Sequence, residues 1–284
     1  MTNVGQSLAG WIKMRFGPNA VSQSSETAFQ VPQLLETILN HRTHRRYADK
    51  PVPPEMLKVL LACTFSTPSK SDLQQCSVIH VRDRKQQERL GGLIPSMPWI
   101  TAAPEFLVFC GDSRRIRRIS ELRGIPFAND HLDAFLNAAA DAAMHLSTFI
   151  AAADAAGLGT CPISVLRNHI AEVTEILALP EHVFPLAGCC LGWPAAEGFS
   201  SLRLPLELTV HEDRYDAEKT DRLIDQYDHD RDARFRIPDS GHKYVDEYGK
   251  VDFYGWSEDK ARQVSKPERD GLGAFLREQG FNFD

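Results

Sequence analysis

Residues 131–160 read "HLDAFLNAAADAAMHLSTFIAAADAAGLGT", and this stretch decides the fold class. It is long and rich in alanine, the best helix former, so it is expected to form a helix. Gly157 falls just past its end, where a left-handed residue commonly closes a helix. So many small side chains let another backbone come close. Two explanations fit at this point: ordinary packing on the core, and close helix–helix contact between two copies.

Outward from this helix, "EFLVFCGD" (105–112) and "PLAGCCLGWP" (185–194) are short apolar runs and read as buried strands. "CSVIHVRD" (76–83) is a further strand, enriched in β-branched residues. "VPQLLETILNHR" (31–42) repeats Leu34, Leu35, Ile38 and Leu39 as a helical stripe and should end before Pro51. "PEMLKVLLACTFS" (54–66) starts a helix on Pro54 and is expected to bury Leu57, Leu60 and Leu61. "RNHIAEVTEILAL" (167–179) is another helix. A short amphipathic helix, "LAGWIKMRFG" (8–17), precedes a polar linker, "SQSSET" (22–27). From about residue 212 the chain turns polar and reads as an exposed extension with a long loop around 236–255. A last helix follows, with Leu272, Phe275 and Leu276 on one side. Helices outnumber strands and do not alternate with them in regular βαβ units, so the expected class is α+β.

The 284 residues, 43% of them hydrophobic, are enough for one sizeable core. The net charge of −6 has the wrong sign for a whole-protein role on nucleic acid or an anionic membrane. No apolar run approaches the roughly 20 residues of a membrane span, and the N-terminus has no signal-peptide pattern. The six cysteines form no Cys-x-x-Cys pair and read as buried free thiols of a reducing cytoplasm. No metal-binding spacing appears, so no metal is expected. Dinucleotide fingerprint, phosphate loop and nucleophile elbow are absent too.

Local basic sites remain. "HRTHRRYADKPVP" (41–53) begins with two histidines and three arginines in six residues. Extended backbone would put His41, Thr43, Arg45 and Tyr47 on one side and Arg42, His44 and Arg46 on the other. Such donors suit a phosphate, and they equally complement a helix C-terminus. "STPSKSDLQQCS" (66–77) offers Ser69, Ser71 and the amide of Gln74, which both donates and accepts. Arg203 follows a Gly/Ser-rich loop. "RRIRR" (114–118) reads as a solvated helix face.

Together and in this order, these pieces resemble the FMN-dependent nitroreductases, in particular the group A oxygen-insensitive nitroreductase and NADPH-flavin oxidoreductase subgroup. The carrying stretches are 41–53, 66–83, 102–112, 151–194, "RLPLELTVHE" (203–212) and 255–281. The resemblance implies a nitroreductase-like α+β fold, with a central, mostly antiparallel sheet flanked by helices in an intertwined homodimer. It implies an N-terminal extension at 1–30 and an FMN-binding core at 31–211. A C-terminal excursion at 212–284 would contribute to the dimer and to the NAD(P)H and substrate pocket.

Carried over residue by residue, FMN would be held by His41, Arg42, Thr43, Arg45, Ser69, Ser71, Gln74, Pro162, Ile163, Ser164, Arg167 and Arg203. Asp72, Met97, Val165 and Arg269 would line the substrate pocket. Arg236 and Lys243 would meet the NADPH phosphate. The implied activity is ping-pong hydride transfer from NADPH or NADH through FMN to nitroaromatics, quinones or related small acceptors. No catalytic side chain is required. The chain departs from the family pattern at Ser201, where a second basic residue is usual. It departs again at Ser164-Val165, Asp72 and Met97.

Overall fold

The computed structural model describes residues 8–18, 20 and 32–284. The linker expected at 22–27 lies outside them. The chain forms two compact units, Met1–Asn40 with Ser200–Glu268, and His41–Phe199 with Arg269–Asp284.

The larger unit is built on a four-stranded sheet in the order β1-β2-β4-β3, antiparallel throughout. The strands are β1 (Cys76–His80), β2 (Glu105–Asp112), β3 (Gly159–Ile163) and β4 (Val183–Gly192). Alternate residues of β2 feed two separate cores. Leu107 and Phe109 pack with Phe149 and Ala153 of the helix Leu132–Ala155 and with Leu57 and Leu60 of the helix Pro54–Thr64. Leu61 is only partly buried beside them. Phe106, Val108 and Cys110 pack on the other side with Leu166, Val173 and Leu177. Cover on both faces explains why β2 and β4 read as unbroken apolar runs.

The long alanine-rich helix spans Leu132–Ala155. Gly157, at φ +75°, closes it as expected. Its N–H donates to the Asp154 carbonyl at 3.0 Å, and that of Leu158 to the Ala153 carbonyl at 2.9 Å, a Schellman closure. Core packing accounts for Ala138, Ala142 and Ala153, which are fully buried, while Ala140, Ala143 and Ala155 are exposed. Contact is close enough that a Cβ at Gly111 of β2 would fall 3.1 Å from the Ala138 carbonyl oxygen.

Two features of the sheet were not expected. β3 contains Pro162 in an exposed position, which only an edge strand tolerates. Between β2 and β4 the register shifts, from Phe109 opposite Ala187 to Cys110 opposite Pro185. Leu186 is the extra residue of this bulge, and Pro185 is accommodated within it.

In the smaller unit, residues 220–235 are a helix rather than an exposed extension. Leu223, Tyr227 and Asp228 are its buried side. The Asp228 carboxylate accepts the N–H of Ser257 at 2.9 Å, and with it holds the start of the helix Trp256–Val264. The loop between those helices carries only short turns at Asp239–Gly241 and Val245–Tyr248, as anticipated. The apolar stripe of the helix Gln33–Leu39 forms, but Leu34 is 56% and Ile38 50% exposed.

Candidate functional site

Chain 41–47 runs extended beside the edge strand. Thr43 bridges Thr160 in parallel, and the His44 N–H donates to the Thr160 carbonyl at 2.8 Å. Gly159 makes this approach possible, since a Cβ there would fall 2.7 Å from the Cβ of His44. The cluster is neither wholly site nor wholly solvated. His41 donates through Nδ1 to Asp154 at 2.6 Å. Arg42 pairs with Glu197, and its Nε is buried with no acceptor among the described residues. The Arg45 guanidinium lies 5.5 Å from the Trp99 ring centroid. His44 is half-buried, and burial holds its imidazole below the ordinary range, so it is neutral at pH 7. Arg46 is exposed.

β3 leads on to Pro162, Ile163 and Ser164, then through a 3-10 turn to Arg167. Pro162 and Ser164 are exposed while Ile163 is buried. Arg167 donates to the Leu186 carbonyl, which the β4 bulge leaves without a strand partner. Burial, and secondly the neighbouring charge of Arg269, lower the Arg167 pKa. A guanidinium remains a cation at neutral pH even so. Val165 and Met97 pack against the same apolar core.

The Ser69–Gln74 loop is built differently. Ser71, Asp72 and Gln74 all adopt left-handed φ, at 50°, 57° and 52°. Such backbone costs free energy in non-glycine residues and needs support. Asp141, fully buried in the long helix, supplies it by accepting the N–H groups of Lys70 at 3.1 Å and Gln75 at 2.8 Å. Arg115 donates to the Gln74 carbonyl and, at 2.7 Å, to Ser77 Oγ. Arg115 is exposed, as "RRIRR" implied, but its guanidinium is engaged by the loop. Neither Asp141 nor Arg115 carried a signal in the sequence. Within the loop, Ser69 Oγ accepts the Gln74 N–H at 2.9 Å, and the Gln74 amide donates to Asp72 at 3.0 Å.

The fold thus brings together Arg42, Thr43, Arg45 and the segment Pro162–Arg167 along β3. The Ser69–Gln74 loop enters β1 at the opposite edge of the sheet, three strand intervals or about 14 Å across. A buried guanidinium nitrogen without an acceptor among the described residues, with Arg45 and Arg167 on the same side of the sheet, forms a donor set that fits a phosphorylated group. FMN is such a group.

The remaining assigned residues belong to the smaller unit. Arg203 donates to Ser201 Oγ at 2.5 Å. Lys243 is held by both oxygens of Asp259 at 2.7 Å. Arg236 lines a cavity of about 670 Å³ with Asp232, His242 and Tyr254. Among the described residues no cluster of histidines, cysteines and carboxylates could hold a metal ion. Nor is any described helix long and apolar enough to cross a membrane.

Comparison with known proteins adds the following. The nitroreductase family model matches residues 38–193, and that of the family's C-terminal domain matches 201–284. An FMN reductase (NAD(P)H) of Bacillus subtilis is 36% identical over 185 residues, covering 64% of this chain and 74% of that protein. An oxygen-insensitive NADPH nitroreductase of Salmonella typhimurium is 34% identical over 247 residues, 87% of this chain and 97% of its own length. Among solved structures, Bacillus megaterium NfrA2 superposes with a TM-score of 0.80 at 31% identity, covering 89% of this chain and all of that one.

Proposed function

The chain belongs to the nitroreductase family, and from that premise we propose that it is an FMN-dependent NAD(P)H oxidoreductase reducing nitroaromatics, quinones or related acceptors. When bound, FMN supplies at N5 the centre that takes a hydride from the nicotinamide and gives it to an acceptor, in ping-pong order. The residues of this chain bind and orient. Arg42 and Arg45 present guanidinium groups beside β3, and the exposed edge at Pro162–Ser164 offers backbone groups to a planar ring. Arg167 keeps a cation there, braced on the Leu186 carbonyl. Arg203 is assigned to the phosphate by its motif. The observation that carries the reading is the buried Arg42 Nε, without an acceptor among the described residues, on the extended segment that Thr43 bridges to β3.

The reading includes a homodimer. Ser69, Ser71 and Gln74 sit at the far edge of their own sheet, so a second copy is the source we assign for them at the flavin. The exposed apolar faces at Leu34 and Ile38, and at Leu136 of the long helix, support such a partner. The excursion 212–284 is proposed to serve the dimer and the nicotinamide pocket. Arg236 is the better candidate for a nucleotide phosphate, because Lys243 must first leave Asp259. The unpaired thiols support a cytoplasmic setting. A second reading, a specialised acceptor in place of a nitroaromatic, is supported by Asp72, a departure from the family pattern that accepts a hydrogen bond from the Gln74 amide.

The test is flavin content. Purified protein is expected to be yellow and to release FMN on denaturation. Arg203→Ala is expected to weaken FMN binding by roughly 10- to 150-fold, the scale of a charged hydrogen bond. A colourless protein that cannot be reconstituted with FMN would overturn the proposal.

A further inference from the structure

A cavity of about 540 Å³ lies wholly within the smaller unit. Two guanidinium groups line it, those of Arg203 and Arg231, together with the hydroxyl residues Ser201, Thr209 and Tyr227. Among the described residues no carboxylate lines it. Arg231 comes from the helix Thr220–Phe235. Its Nε is buried without an acceptor among the described residues. Arg231 Nη1 donates to Tyr227 Oη at 3.3 Å. Tyr227 in turn donates to the Leu202 carbonyl at 3.1 Å, one residue before Arg203. The Tyr227 ring is buried edge-on against Trp256, at 5.3 Å between centroids.

Arg231 is therefore tethered to the backbone that carries Arg203. Like charges gathered around one cavity repel, and the repulsion is relieved by an anion placed between them. Planar guanidinium groups and hydroxyl donors are the set that recognises a phosphate dianion. The N-terminal helix Leu8–Phe16 completes this wall. The Arg15 carbonyl accepts the Arg203 N–H at 2.7 Å, Arg15 Nη1 donates to the Ser201 carbonyl at 3.2 Å, and Phe16 lines the cavity.

We propose that Arg231 is a second phosphate-binding residue, acting with Arg203 on the phosphomonoester of FMN. The assignment rests on the flavin reading above. It restores near the phosphate the charge that Ser201 does not carry.

Riboflavin, which lacks the phosphate, separates the possibilities. Protein stripped of flavin is titrated with FMN and with riboflavin by fluorescence quenching. Arg231→Gln is expected to lose FMN affinity roughly 10-fold or more and to keep its riboflavin affinity. Arg231→Lys should recover part of the loss. Tyr227→Phe keeps the buried ring and removes only the tether, and should lose FMN affinity in the same direction by a smaller factor. FMN affinity unchanged in Arg231→Gln overturns the assignment and leaves the flavin reading standing. FMN and riboflavin affinities falling together also overturn it, because that pattern marks a structural role. Wild-type protein that binds neither flavin overturns the flavin reading itself.

Discussion

Two loops in this molecule are each organised by one buried carboxylate, and by opposite means. In the larger unit, Asp141 holds the Ser69–Gln74 loop through two backbone N–H groups, and no lysine or arginine pairs with it among the described residues. In the smaller unit, Asp259 holds the loop after residue 236 through the ammonium groups of Lys243 and Lys260, at 2.7 and 2.8 Å, and through the Tyr254 hydroxyl at 3.3 Å. A carboxylate bonded to backbone amides prescribes backbone dihedrals. One bonded to flexible ammonium groups gathers side chains and leaves the backbone its own course. The first loop accordingly holds three strained, left-handed residues, while the second holds one, Tyr244.

The contrast can be broken most severely at Asp141. Asp141→Ala orphans two N–H groups that support strained backbone, and should cost about 3 kcal/mol of stability in urea unfolding. Asp141→Asn keeps one acceptor and should fall between. A loss no greater than that of a surface substitution would show that the loop's strain is supported elsewhere.

Asp259→Asn should cost less, about 2 kcal/mol, because its partners are partly exposed and regain water. Burial works to raise this carboxyl, but the hydrogen bonds from Lys243 and Lys260 outweigh it and hold it below the usual carboxylate range. A depressed carboxyl stabilises the fold above its unfolded pKa. The contribution is complete above about pH 4 and fades as the pH falls further. The pH dependence of unfolding should therefore flatten below pH 4 in Asp259→Asn relative to wild type. High salt should weaken the Asp259 loop and spare the Asp141 loop, which hydrogen exchange of the two segments would resolve.

The smallest effect is expected at Arg115, which braces the first loop from its exposed side. Arg115→Leu should cost about 1 kcal/mol and raise exchange of the amides near Gln74 more than elsewhere. Uniform exchange across the larger unit would show that Asp141 alone sets the loop.

Legibility from sequence followed the same division. The buried strands were visible because both faces of β2 and β4 are covered, which leaves an unbroken apolar signature. β3 escaped, since a proline at an edge and a glycine under His44 resemble a loop. The helix Thr220–Phe235 escaped because its buried side carries an aspartate, and only Leu223 and Tyr227 mark an apolar face. At the candidate site, the arginines and an amide in order carry the resemblance to the family. Asp141 and Arg115 were not readable at all. A buried aspartate in an alanine helix looks like a solvated one, and Arg115 sits within a charge run. Their importance comes from what the fold places opposite them.

The six cysteines, five of them core fillers, also make a clock. Cys63 is exposed and the other five are buried. Burial pushes the Cys76 thiol up to about 12 and raises those of Cys110, Cys161, Cys189 and Cys190 as well. In native protein a thiol reagent should titrate one equivalent at once. The remaining five should react only as fast as their surroundings open. All six belong to His41–Phe199, so the slow phase reports the opening of the larger unit. Comparing that phase with a whole-chain melt would tell whether the two units come apart on one schedule or two.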